Sequence, residues 1–336
     1  MGIVDNFAAA GFLARRVFSA FQRWDVLAGK VVSLQGVVCD HLTKIYGRSG
    51  GAKALDDLSF IVPSHGIFAL IGRNGSGKTT LVRILATELE PTTGNASING
   101  LDVVREARKL RQRIAIVPQE ARPVPWMTPM QTTQSYLLWR GFGYSEAKEK
   151  AFRTLQRLGL GDFCEDLNRK LSGGMRRKVM VATVLASEAE VIFLDEPTTG
   201  LDPISRREFW ETLREVGKER FTFLTTHYLE EAEELGDRIG ILDRGRLARI
   251  GAMSELRDSV SHNYSLRVLS GSKEAIPKPK EGETIVGTDG SVTVLTTEEE
   301  AYRMSRELAK EGLKFAVNPI SLDDIFLYLV GRRAGE

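Results

Sequence analysis

The chain has 336 residues, 42% of them hydrophobic and 27% charged, with a formal net charge of +2. That length carries about two domains, the composition is that of an ordinary globular protein, and the charge gives no global field for nucleic acid. Two distant cysteines, Cys39 and Cys164, suggest neither a metal site nor a disulfide framework and fit a reducing cytosol, and no run approaches the ~20 apolar residues that span a bilayer.

Residues 1–34 stand apart. Ile3, Phe7, Ala10, Ala14, Val17, Phe21 and Trp24 recur at helical spacing, with Arg15, Arg16 and Arg23 among polar neighbours. This predicts an amphipathic, mildly basic helix, either docked on its own domain or lying against a membrane interface or membrane partner. The N-terminus is a poor signal peptide. From 35 to 257 the pattern is α/β. VVSLQGVVCDHLTKIYG and LDDLSFIVP read as strands of a small sheet. GIFALIG is an apolar strand running into a glycine-rich turn, and TTLVRILATEL is a helix. Residues 128–190 read mostly as helix. RIAIVP, VIFLD and FTFLTTH are short strands of the kind buried in parallel sheets. Strand and helix alternate, which predicts a parallel core covered by helices.

The last segment, 262–336, reads as a small α/β module. SLRVLS is a strand, GSKEAIPKPKEGE (271–283) a loop, and TIVGTDGSVTVL a hairpin turning at Asp289-Gly290. EEEAYRMSRELAKEG is a helix ending at Gly312, and LKFAVNP is a strand. SLDDIFLYLVG is a final helix with Ser321 or Asp323 at its start.

The chemistry concentrates in the α/β segment. Gly72-Arg73-Asn74-Gly75-Ser76-Gly77-Lys78-Thr79 fits G-x-x-x-x-G-K-[ST] between a strand and a helix, where the mechanism needs it. Glycines let successive N–H groups curl round an anion, and the helix N-terminus adds partial positive charge. Lys78 can reach the β- and γ-phosphates of a nucleotide, and Thr79 can ligate Mg²⁺. VIFLDEP ends in Asp195 at the C-terminal edge of a buried strand, the ligand side of an open α/β sheet. Asp195 is the expected direct or water-mediated Mg²⁺ partner, and Glu196 is suited to polarise an attacking water. His227 and Gln119 also follow apolar strands. A lone histidine there is more often structural, but the strand-end position allows a γ-phosphate contact, and a neutral amide at 119 can bond Mg²⁺-bound or attacking water. In LSGGMRRK (171–178), Ser172 can cap the following helix, and Gly173 and Gly174 free the backbone.

Taken together, GRNGSGKTT, Gln119, LSGGM, VIFLDEP, TGLD (199–202) and His227 resemble the ATP-binding-cassette (ABC) ATPases, in the family's order and spacing over about 35–257. LSGGMRRK, DEPTTGLDP and the tail SLDDIFLYLVG resemble the ATPases of ABC-2-type exporters, including the daunorubicin-resistance type. The resemblance implies a P-loop NTPase fold: a RecA-like core, an antiparallel β subdomain and a helical subdomain at about 120–188. It implies Tyr46 stacked on adenine, and Gly72 to Thr80 (with Asn74, Gly75, Ser76, Gly77, Lys78 and Thr79) wrapped round the triphosphate. It further implies Mg²⁺ served by Thr79, Gln119 and Asp195, water by Glu196, and the γ-phosphate by His227. A second copy would bring Ser172, Gly173 and Gly174 to that phosphate, with Asp202 positioning groups across the interface. Separate membrane permease chains would receive the helical segment beginning near Trp126, at the cytoplasmic face of a membrane. Export of a substrate is the expected work; an importer ATPase, or a non-transport ABC ATPase acting as a regulatory module, is the alternative. One departure is plain: Met175 stands where the commonest signature has Gln, so that residue's amide contacts do not carry over.

Overall fold

The computed structural model describes residues 36–47, 51–269, 279–280, 282–286 and 292–331. The helix expected at 1–34, most of the loop at 271–283 and the Asp289-Gly290 turn lie outside the described residues. The chain begins with β1 (Gly36–Tyr46), β2 (Ala52–Pro63), β3 (Ile67–Ile71), α1 (Lys78–Leu85), β4 (Thr93–Ile98), β5 (Leu101–Asp102), α2 (Ala107–Arg113) and β6 (Ile114–Val117). There follow α3 (Pro129–Trp139), α4 (Tyr144–Arg157), α5 (Gly173–Ala186), β7 (Val191–Asp195), α6 (Pro203–Glu219), β8 (Phe221–Thr226) and α7 (Leu229–Leu235). The remainder is β9 (Arg238–Asp243), β10 (Arg246–Gly251), α8 (Met253–Asp258), β11 (Tyr264–Val268), β12 (Glu283–Val286), β13 (Val292–Thr296), α9 (Glu298–Lys310), β14 (Phe315–Pro319) and α10 (Leu322–Gly331).

The central sheet has the order β10-β9-β3-β8-β7-β6. Its neighbours from β9 to β6 run parallel, and only β10 is antiparallel. The expected parallel core is therefore present, and the physical reason is visible in β3. All five of its residues are buried, because successive side chains point to opposite faces and both faces are covered. Ile67, Ala69 and Ile71 join a cluster with α5, α6 and α7. Phe68 and Leu70 face the other way, into a cluster with α1 and the small sheet β2-β1-β4-β5. That second cluster is aromatic at its centre: Phe68 meets Phe223 edge-on at 5.0 Å between centroids, and Phe223 lies 5.5 Å from Phe193.

The helices between β6 and β7 are set by local signals. Thr128 and Gln131 form a reciprocal capping box ahead of Pro129, which satisfies the first free N–H groups of α3. Asn168 is fully buried and ties the two ends of this layer together, donating 2.9 Å bonds to the Val124 carbonyl and the Thr132 hydroxyl. The backbone joins the same segments through Asn168 N–H to Met127 O and Arg169 N–H to Pro125 O.

At the C-terminal end, β12-β13-β11-β14 form an antiparallel sheet. Leu266, Val268, Val292 and Val294 pack there against Met304 and Leu308 of α9. Ser321 is the cap of α10: its hydroxyl accepts from Asp324 N–H while the Asp324 carboxylate accepts from Ser321 N–H. The helix then turns Leu322, Ile325, Phe326 and Val330 into the core that also holds Ala232, Leu235 and Leu256. Ile325→Ala is accordingly expected to destabilise the whole described unit by about 2–5 kcal/mol, read as an earlier midpoint in urea unfolding; an unchanged midpoint would mean this helix is energetically detached.

Candidate functional site

The site lies where β3, β6, β7 and β8 all end. The loop after β3 is shaped by its glycines. Gly77 has φ +107° and a Cβ placed there would sit 2.4 Å from the Ala54 carbonyl oxygen, so the turn into α1 needs a residue without a side chain. Gly75 has φ +80° and open space above it. This loop with Ala54, Gln119, Glu196, Thr199 and His227 lines an open cleft of about 540 Å³. Thr79 is exposed on the cleft wall. Tyr46 stands beside the loop, over a third exposed, with its hydroxyl 3.3 Å from that of Thr80 and the Lys44 ammonium 5.7 Å from its ring centre.

Lys78 is buried and curls back on its own loop, donating to the carbonyls of Gly72 at 2.7 Å and Arg73 at 3.2 Å. Its ammonium lies 3.8 Å from Glu196 Oε1. Burial lowers its pKa, opposed by the charges of Glu196 and Asp195.

Glu196 is the centre of the arrangement. Its Oε2 accepts from the Gln119 amide at 3.0 Å and the Thr199 hydroxyl at 3.3 Å, and lies 3.1 Å from His227 Nδ1. Its backbone is left-handed, φ +49°, a costly conformation for a residue with a Cβ. Strain of that kind persists where surrounding contacts over-determine it. Here Glu196 N–H is held by both the carbonyl and the hydroxyl oxygen of Thr225 at 3.1 Å. Thr225 also donates its hydroxyl to Asp195 Oδ1, from directly opposite in the β7–β8 pairing. Asp195 itself is buried and is not part of the cleft wall.

The oxygen donors Thr79, Gln119 and Asp195 are hard ligands, and they are few. That suits Mg²⁺, which keeps waters and phosphate oxygens rather than filling an all-protein cage. Asp195, buried with one oxygen taken by Thr225, fits a water-mediated role better than a direct one.

The signature segment sits elsewhere. Ser172 caps α5 by accepting from Met175 N–H at 3.1 Å, but Ser172, Gly173 and Gly174 are not on the cleft wall. The two glycines have different surroundings. A Cβ on Gly174 would meet the Leu201 side chain at 2.8 Å, whereas one on Gly173 would meet nothing within 4 Å among the described residues. Met175 packs against the core behind them. Asp202 caps α6, accepting from Ile204 N–H at 3.1 Å and Ser205 N–H at 3.0 Å; bonds from Ser205 hold its pKa below the usual carboxylate range.

Sequence reading assigned no individual role to Thr199, Thr225 or Arg177, although Thr199 and Arg177 lie inside the motifs TGLD and LSGGMRRK. Thr225 had a signal, a hydroxyl inside the buried strand FTFLTT. Arg177 had one too: it stands on the apolar stripe of α5, one turn before Val181, where a cation without partners would be prohibitive.

A family model described as ABC transporter matches residues 55–199. The daunorubicin/doxorubicin resistance ATP-binding protein DrrA of Streptomyces peucetius is 33% identical over 312 residues, covering 88% of this chain and 92% of that protein. The daunorubicin resistance ATP-binding protein DrrA3 of Streptomyces coeruleorubidus is 38% identical over 303 residues, covering 86% and 95%. In fold, the chain is similar to the ATP-binding cassette MJ0796, with a TM-score of 0.60 at 24% identity over 65% of this chain and 98% of that one. With a P-loop, a strand-end carboxylate pair and similarity to such relatives over nearly their whole length, the chain belongs to the ABC transporter family, as an ATP-binding and ATP-hydrolysing subunit of the exporter type.

Proposed function

We propose that two copies of this chain sandwich two ATP molecules head to tail, and that closure and release of the sandwich drive outward transport through separate membrane subunits. One observation carries this reading. The P-loop and Glu196 share one cleft, while Ser172 and Gly173 do not line it, and among the described residues nothing lies within 4 Å of a Cβ placed on Gly173. A second copy is the natural source of a phosphate for that helix N-terminus, and the first copy the source for the second.

In each site the P-loop N–H groups and Lys78 hold the triphosphate, and Tyr46 offers its ring to the base. Thr79, Gln119 and Asp195 would hold Mg²⁺, which would supply charge neutralisation for the phosphates. Glu196 orients and polarises water; Gln119 and Thr199 fix its carboxylate, and His227 stands beside it at the γ-phosphate end. Asp202, by capping α6, holds the loop 199–202 that faces the partner copy.

The membrane partner would dock on the helical layer. Val124, Trp126 and Phe163 are exposed apolar side chains, Trp126 at 74%, and the backbone bonds of Asn168 and Arg169 hold the segment that carries the first two. Among the described residues no helix is long and apolar enough to cross a membrane; the subunit would work at the cytoplasmic face of the membrane that its partners span. Similarity to drug-resistance proteins favours export over import.

Ser172→Arg tests the shared site. The variant is expected to bind ATP as a monomer with near-normal affinity and to lose turnover by at least about 100-fold, measured as phosphate release with Mg²⁺ present. Loss of binding by the monomer would instead place Ser172 in its own chain's site. Chelating Mg²⁺ from the unaltered chain is expected to stop turnover as well.

A further inference from the structure

Arg177 lies on α5, five residues after Ser172, and is 4% exposed. Each of its N–H donors has a partner. Nε donates to Pro197 O at 3.2 Å; Nη1 donates to Pro118 O at 2.8 Å and Gln119 O at 3.1 Å; Nη2 donates to Asp195 O at 2.6 Å and Glu196 O at 3.2 Å. This uses the full complement of a guanidinium. The acceptors come from two separate stretches, the ends of β6 and β7, which are neighbours in the sheet. Burial lowers the pKa of Arg177 to about 10 against the pull of Asp195, which leaves it charged at neutral pH.

The bonds fall where the site is strained. Glu196 is left-handed; Thr225 holds its N–H and Arg177 holds its carbonyl. Gln119, whose amide reaches Glu196, has its own carbonyl on the same guanidinium. Both ends of the Gln119–Glu196 hydrogen bond are thus anchored on one side chain, and that side chain belongs to the helix that starts at Ser172. The same 14-residue helix joins Arg177 to Ser172, about 7.5 Å apart along its axis.

We propose that Arg177 is a positioning residue for hydrolysis, coupling the seat of the signature helix to the orientation of Gln119 and Glu196 in the same chain. A shift of α5 as Ser172 engages the partner's phosphate is passed through this fork to the chain's own hydrolytic pair. The inference rests on Gln119 and Glu196 serving the attacking water.

Arg177→Lys in the full chain is the test. A lysine keeps the charge but not the planar fork, so it cannot serve both strand ends at once. The expected result is a kcat at least about tenfold lower with KM for ATP within about threefold, in a chain that stays folded at the assay temperature and still forms an ATP-dependent dimer when Glu196→Gln is added. Wild-type kcat overturns the proposal. So does a loss of kcat accompanied by a matching rise in KM, the mark of a general loss of site structure rather than of positioning for hydrolysis. Arg177→Gln, which can still bond one or two carbonyls, is the second variant; if neither variant folds, a positioning role separable from folding is refuted. Glu196→Gln run alongside separates the two ideas. If it still hydrolyses ATP, the hydrolytic reading fails; if it is inert while Arg177→Lys is fully active, only the coupling fails.

Discussion

Glu196→Gln is expected to lower ATP turnover by at least about 100-fold, the usual scale of a lost general base, while ATP binding persists and a dimer accumulates on size exclusion. The geometry explains why the two effects separate. Glu196 touches the cleft through its carboxylate, and that carboxylate is where Gln119, Thr199 and His227 converge. A glutamine fills the same volume and can still accept at its oxygen, so the buried pocket keeps its shape. It removes the charge that polarises water and the repulsion that a carboxylate exerts on a γ-phosphate. A nucleotide sandwich that closes but cannot hydrolyse has no route to reopen. A variant that remains monomeric with ATP would refute either the role of Glu196 or the shared site, and Ser172→Arg distinguishes them.

Lys78→Ala is expected to cost at least about 100-fold in turnover, close to 2.7 kcal/mol of transition-state stabilisation, and to weaken ATP binding in parallel. Lys78 is the cation at the floor of the cleft, 3.8 Å from Glu196 and bonded to the carbonyls of Gly72 and Arg73. Its removal has two consequences. The triphosphate loses a buried positive partner, and the loop carbonyls lose the donor that holds their curl. Unlike Glu196→Gln, this variant should not dimerise with ATP. Titration calorimetry with ATP and a phosphate-release assay read both effects, and preserved turnover would sink the P-loop assignment.

The two variants act on residues that were legible in very different ways. Gly72 to Thr80 occupy nine consecutive positions between an apolar strand and a helix, so their chemistry is local: glycine spacing, one lysine, one hydroxyl. The carboxylates Asp195 and Glu196 are equally local, at the end of VIFLD. Nothing in the sequence, however, states that Gln119 and His227 meet on one oxygen of Glu196. They follow β6 and β8, and it is the order β3-β8-β7-β6 that brings those strand ends together. The same holds for Thr225, which reaches both Asp195 and Glu196 only because it is paired opposite Asp195.

LSGGMRRK shows the division within eight residues. Its sequence by itself determined a helix start, a serine cap and freed backbone, because caps and glycine freedom depend on adjacent residues. It also carried the family resemblance. Only the tertiary structure decided that the two glycines differ: Gly174 clears the Leu201 side chain, whereas Gly173 has nothing within 4 Å among the described residues. It alone decided that Met175 packs inward, that Arg177 spans two strand ends, and that the last helix, read as part of a separate module, seats its apolar face in the main core. Hydrogen bonds and close packing between residues tens of positions apart are properties of the pairing of strands, and pairing is set by the whole sheet rather than by any short stretch of chain.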